Sequence, residues 1–184
     1  MRYADGPVAE CEIRIAAAAP RVWELVGDIG LPVRLSPELH RVEWLDGATA
    51  PAPDARFTGH NRHPKIGEWQ TVSQIMTVAA ERELGWAVLD TGGRFGAPVE
   101  DPAQALATWR FVLEPAPGHV LVRHSVRIGP GASGLSVIIA RMPDREEQLI
   151  EARLAELRTG MEATLKGIKA LAEGDSPGEP AYTR

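Results

Sequence analysis

Ile150-Glu151-Ala152-Arg153-Leu154-Ala155-Glu156-Leu157-Arg158-Thr159-Gly160-Met161-Glu162-Ala163-Thr164-Leu165-Lys166-Gly167-Ile168-Lys169-Ala170-Leu171-Ala172 decides the fold. Ile150, Leu154, Leu157, Met161, Leu165, Ile168 and Ala172 recur at steps of four and three, which draws one apolar stripe along an α-helix. Pro143, then Asp144 with Glu147 three residues on, predict its N-terminal cap, and Gly174 its stop. At ~1.5 Å per residue a helix of about 29 residues spans about 43 Å. Nothing so long is needed to cover a small sheet unless the sheet wraps it. Gly160 and Gly167 inside it each cost about 1 kcal/mol relative to Ala. Each reads equally well as a tolerated solvent-side glycine or as a close approach to a ligand or neighbouring strand.

Upstream, the chain reads as strands. Val8 to Ile15 alternates, with Cys11, Ile13 and Ile15 on one face. Pro20 suits the first turn of a helix carrying Val22, Trp23, Leu25 and Val26, which Gly27 and Gly30 end. Leu31 to Leu39, with two prolines, allows only a second short helix or turn. Then follow strands at Arg41 to Leu45, Arg56 to His63, Glu68 to Ala80, Leu84 to Leu89, Ala105 to Leu113 and Val120 to Ile128. Hairpin-sized links make them antiparallel neighbours. The exceptions are the loops Ala48 to Asp54 and Thr91 to Pro102, rich in glycine or proline.

Composition excludes several functions. The chain has 184 residues, 44% apolar, with 20 basic and 25 acidic side chains and a formal charge of −5. That is one ordinary domain without the basic stripe a nucleic-acid partner requires. No stretch approaches the roughly 18 apolar residues of a membrane span, and Arg2, Asp5 and Glu10 stand where a signal core would be, so a cytoplasmic location is expected. Cys11 is the only cysteine, which rules out an internal disulfide and a cysteine-based zinc cluster. The basic residues are nearly all arginine, which suggests a GC-rich bacterial genome. His60 and His63 point to opposite faces of their strand, and no histidine spacing suggests shared metal ligation. Gly92-Gly93-Arg94-Phe95-Gly96 lacks the lysine and context of a phosphate loop, and no serine sits in a nucleophile elbow. No cofactor and no metal are expected.

Two segments carry a family resemblance. Ile13-Arg14-Ile15 followed by Ala19-Pro20-Arg21-Val22-Trp23-Glu24-Leu25-Val26-Gly27-Asp28 resembles the opening of the START-like superfamily. Phe57-Thr58-Gly59-His60-Asn61-Arg62 with Trp69-Gln70-Thr71 looks like a group of actinobacterial members of unassigned activity. Where relatives often carry Trp-Pro after the aspartate, Ile29-Gly30-Leu31-Pro32 keeps the proline alone. The resemblance runs from about Val8 to Glu173. It implies an α+β helix-grip fold, shared with plant pollen allergens: a curved antiparallel sheet of about seven strands around the C-terminal helix, with two short helices after the first strand. Residues 1–173 would form this single domain and 174–184 a disordered tail. Relatives include polyketide cyclase/dehydrase and lipid-transport proteins, and their cavity between sheet and helix takes sterols, lipids, plant hormones or polyketide intermediates. Others regulate a chaperone ATPase.

Strand alternation sorts the inward faces. Val120, Val122, His124, Val126 and Ile128 share one, on which His124 is the only polar member. Ala105, Ala107, Trp109, Phe111 and Leu113 share another, as do Leu84, Trp86 and Val88. Phe57 and Gly59 bring Asn61 and His63 inward. In the long strand, Trp69, Thr71, Ser73, Ile75 and Thr77 are taken as inward over the competing set Val72, Gln74, Met76 and Val78. The predicted ligand-binding set is Phe57, Asn61, Thr71, Ser73, Trp86, Trp109, His124, Met161 and Leu165, apolar walls with a few directed polar groups. A buried histidine is more often satisfied by a carbonyl or hydroxyl, and tryptophans at strand spacing are often plain core.

Three functions are compatible with this pattern. The leading one is binding of a small hydrophobic molecule, aromatic or polyketide-like, entering between the Thr91 to Pro102 loop and the Gly129 to Met142 segment, which reads equally well as an apolar lid or as a short helix or strand closing the core. The second is a cyclase, aromatase or dehydratase, with His124 as base and Asn61 or Arg62 holding the oxyanion. The third is a chaperone-activator-like interaction module with a filled interior. Ligand identity, the choice between enzyme and carrier, and oligomeric state, a homodimer included, stay open.

Overall fold

In the computed structural model, which describes residues 1–36, 38–64 and 67–174, the long C-terminal stretch is one helix, α3, Glu146–Glu173. It lies against seven antiparallel strands: β1 Val8–Ile15, β2 Leu39–Trp44, β3 Arg56–His63, β4 Gly67–Ala79, β5 Glu83–Leu89, β6 Ala107–Ala116 and β7 His119–Ile128. Their order across the sheet is β1-β7-β6-β5-β4-β3-β2, so each strand from β2 to β7 pairs with its sequence neighbour and β1 closes on β7. Between β1 and β2 stand α1, Ala19–Gly27, and a 3-10 turn at Leu31–Arg34. Pro20 occupies the first turn of α1, where its missing N–H costs nothing. A short helix α2, Gly134–Arg141, leads into α3. The expected tail falls outside the described residues beyond Gly174, which stops α3 in the left-handed conformation at φ 85°.

The predicted cap of α3 is not made. Pro143–Arg145 forms a 3-10 turn, the residue before the helix is Arg145, and no side chain caps it. Glu146 and Glu147 in the first turn favour the positive end of the helix dipole instead.

How α3 meets the sheet decides where space is left. The helix packs chiefly on β1, with smaller contacts to β7 and α1. Ile150, Leu154 and Met161 join Ala9, Val126 and Ile128 in one buried cluster. Leu165 and Ile168 join Ile15, Val22 and Val120 in another beneath α1. The apolar stripe is therefore spent on one flank of the sheet, and α3 leaves open the part of the concave face of β2 to β6 that α1 does not cover.

Two of the predicted faces shift. A bulge between Ile75 and Thr77 adds a residue to β4, so alternation reverses there. Thr71, Ser73 and Ile75 are inward as expected, but beyond the bulge it is Val78, opposite Leu84, that packs on the core. Ala105 precedes β6 and packs with Ala87 and Leu89 on the other side of the sheet. Leu106 takes the inward place.

Candidate functional site

The uncovered concavity is a hollow of about 320 Å³. Its floor is aromatic. Trp86 and Trp109 are direct cross-strand partners on β5 and β6, their rings 7° from parallel with centroids 6.2 Å apart. Phe57 lies 6.5 Å from Trp86, and Phe111 lies 5.9 Å from it on the other side. Register places them: Trp86, Trp109 and Phe111 occupy inward positions on the adjacent strands β5 and β6, and Phe57 on β3 reaches Trp86 across residues 73–75 of β4.

His124 ends this row. Register sets it opposite Phe111 on one side and Cys11 on the other. The imidazole stacks on Phe111 at 3.9 Å and 13°, and Trp109 is 5.3 Å away. It is 5% exposed, and neither ring nitrogen has a hydrogen-bond partner among the described residues. Burial among rings disfavours the imidazolium and lowers the pKa to about 3. His124 is a neutral imidazole with one donor and one acceptor unspent, on the wall of a hollow.

The other predicted polar groups are weaker. Thr71 and Ser73 are buried on the wall. Asn61 lines the hollow too, and its Nδ2 donates to the carbonyl of Gly59 at 3.3 Å. Asn61 on β3 and His124 on β7 have four strand spacings between them, about 19 Å along the sheet. No hydrogen bond joins them, and both line the same hollow. Arg62 points outward and is held by Glu68 through Nε at 2.9 Å and Nη2 at 2.5 Å.

On the helix side, Met161 lines the hollow, but Leu165 does not. Leu165 belongs to the packed cluster beneath α1, because the apolar stripe faces β1 and β7. The flank of α3 facing the hollow is Arg153, Glu156, Gly160 and Thr164, one step round from the stripe, whose Leu157 and Met161 reach the hollow at its edge. Thr164 Oγ1 donates back to the carbonyl of Gly160 at 3.0 Å. Gly167 meets a neighbour instead: a Cβ there would lie 2.4 Å from Leu35 Cδ1.

Phe95, from the loop after β5, and Leu135, at the start of α2, both line the hollow, so both segments named from the sequence reach it. The Phe95 loop is tied down by Asp90, whose carboxylate accepts the N–H groups of Arg94 at 3.0 Å and Phe95 at 2.8 Å.

Sequence reading missed the charged rim. Arg153 donates to both oxygens of Glu38 at 2.6 and 3.1 Å and to Glu156 at 3.2 Å, which bolts α3 to the segment before β2. His63 Nε2 stands 3.9 Å from Glu156. Arg153 is pinned in its charged form, its hydrogen bonds to Glu38 and Glu156 outweighing burial. Glu38, His63 and Glu156 offer ligand atoms within 4.8 Å of one another, yet the guanidinium already bonds both carboxylates. The i, i+3 spacing of Arg153 and Glu156 was visible, but their partner Glu38 is 115 residues from Arg153 in sequence.

Residues 8–173 match the model of the family described as polyketide cyclase / dehydrase and lipid transport. The chain belongs to that family. A polyketide-cyclase-like protein of Corynebacterium glutamicum, solved by NMR, is 27% identical over 90% of this chain and 91% of its own, with a TM-score of 0.61. The di-domain ARO/CYC protein BexL of the BE-7585A biosynthetic pathway is 19% identical with a TM-score of 0.62; 93% of this chain matches 51% of it. Ara h 8.0201 is 13% identical over 92% of this chain and 99% of its own, with a TM-score of 0.58. The last two show the fold alone. No curated protein matches the chain. None of the described helices is long and apolar enough to cross a membrane.

Proposed function

We propose that this family member binds a small, largely apolar molecule, flat and aromatic in character, in the hollow between α3 and strands β2 to β7. One observation carries the reading: His124 is buried without a partner on the wall of that hollow. A polar group left unsatisfied inside a protein costs about 1–3 kcal/mol, and a guest with a hydroxyl or carbonyl group recovers it. The parallel rings of Trp86 and Trp109 supply a flat apolar surface beside it. The volume lies at the lower end of the roughly 300–1,000 Å³ typical of small-molecule sites.

Carriage is favoured over catalysis because, of the two oxyanion donors named from the sequence, Arg62 is held outward by Glu68 and Asn61 spends an N–H on the carbonyl of Gly59. A filled interior, which the interaction-module reading needs, is not what the family fold encloses here. The test is calorimetric titration with 2-naphthol, a neutral bicyclic probe, beside the Ser73→Leu variant, which fills the wall. Binding by the wild type and its loss in a variant that keeps its melting temperature are expected. Absence of binding by the wild type, together with no small molecule retained in native mass spectrometry, would overturn the reading.

A further inference from the structure

Resting on that binding reading, we propose that the site takes uncharged or cationic guests and rejects carboxylates and other anions, with Glu38, Arg153 and Glu156 setting the selection at the rim.

Two features of the hollow carry this. At depth, the polar groups on offer are uncharged: the hydroxyls of Thr71 and Ser73, and His124, which is enclosed by the rings of Phe111, Trp109 and Trp86. It can donate one hydrogen bond or accept one, and it brings no positive charge to meet an anion. The low pKa caused by burial agrees. At the rim, Arg153 is the one Lys or Arg side chain among the described residues that line the hollow. Its guanidinium is committed to both oxygens of Glu38 and to Glu156. Two carboxylates stand against one guanidinium, with the imidazole of His63 3.9 Å from Glu156, and in the imidazole's uncharged form the rim carries excess negative charge.

An entering carboxylate therefore passes Glu38 and Glu156, which repel it, and reaches an apolar floor with no counter-charge. An ion moved from water into such a place loses hydration that nothing replaces. A phenol, ketone or alcohol pays no such penalty and can meet His124. An ammonium group held at the rim meets Glu156, whose side chain is 42% exposed and so leaves the cation partly hydrated. The consequence for substrate class is direct: free fatty acids, aromatic acids and phosphate-bearing lipids are poor guests, whereas neutral phenolic or keto-aromatic molecules are good ones.

The test compares three probes of one size at pH 7.5 by calorimetry: 2-naphthol, 2-naphthoate and 2-(aminomethyl)naphthalene. We expect the naphthol and the amine to bind at least tenfold more tightly than the naphthoate. In the Glu38→Gln, Glu156→Gln double variant, which frees Arg153, naphthoate should gain at least tenfold while naphthol changes less than twofold. Naphthol binding and the melting temperature report whether that variant folds, and Glu156→Gln alone, at the more exposed position, gives the same ranking with a smaller gain. Naphthoate binding as tightly as naphthol, or a naphthoate-to-naphthol ratio unmoved in both variants, overturns the inference. Failure of all three probes to bind the wild type overturns the cavity reading itself, and the selection falls with it.

Discussion

The imidazole of His124 lies face to face with the ring of Phe111, 3.9 Å between centroids and 13° from parallel, and both of its nitrogens are without a partner. Natural cores rarely leave such a group unpaired. The arrangement keeps an unpaired polar group against the aromatic floor of the chamber, and it ties stability and binding to the same side chain in opposite senses.

His124→Phe separates the two. It removes an unsatisfied buried group and keeps a flat ring against Phe111, so the variant should unfold at an equal or higher urea midpoint, by up to about 2 kcal/mol. Its affinity for 2-naphthol should fall about tenfold. A variant that loses both stability and binding would mean that His124 has a structural partner.

The same residue shapes stability against pH. The folded pKa of about 3 lies below the unfolded value of 6.5. The contribution is therefore fully present above 6.5 and is lost as pH falls from there towards 3, since the unfolded chain takes up a proton the folded one refuses. In that window the slope approaches about 1.4 kcal/mol per pH unit. Urea unfolding at pH 6.5, 5.5 and 5.0 should show the wild type losing stability faster than His124→Phe; parallel curves would contradict it.

At Gly167 the interior of α3 tests close packing. Gly167→Ala gains up to about 1 kcal/mol of helix propensity, but its Cβ would meet Leu35 atoms at 2.4 and 2.6 Å. We expect a net loss of about 1–2 kcal/mol. In the Leu35→Ala background the same substitution should become neutral or stabilising, and an additive double-mutant cycle would show that the two residues do not touch.

Much of this architecture could be read from residues alone, and the failures have physical causes. The stripe from Ile150 to Ala172 gave the long helix, and alternation in Val120 to Ile128 singled out His124. The choice of Thr71 and Ser73 over Val72 and Gln74 follows from hairpin register: with Phe57 and Gly59 inward, their partners Ser73 and Thr71 must be inward too. The bulge after Ile75 could not be seen, because alternation says nothing about an inserted residue. Leu165 lies off the cavity wall because a helix buries its apolar stripe where packing is tightest, and the flank beside it, with Gly160 and Thr164, faces the space. Glu38, His63 and Arg153 come from three distant segments, and only the fold brings them together.

Arg153→Met should leave Glu38 half-buried without its cation. Both side chains are less than a quarter exposed, so a loss of about 1–3 kcal/mol is expected, with faster amide exchange in the segment leading into β2. Adding Glu38→Leu should recover most of the stability, whereas a further loss would show that the pair does not act as a bolt.

The most direct measurement is the nitrogen spectrum of the His124 imidazole during titration with 2-naphthol. If the guest sits against the aromatic floor, the His124 ring nitrogens shift on binding as one of them gains a hydrogen bond, and the ring stays neutral at pH 6. Ring signals that stay fixed while the probe binds, or that report an imidazolium at that pH, would contradict the account.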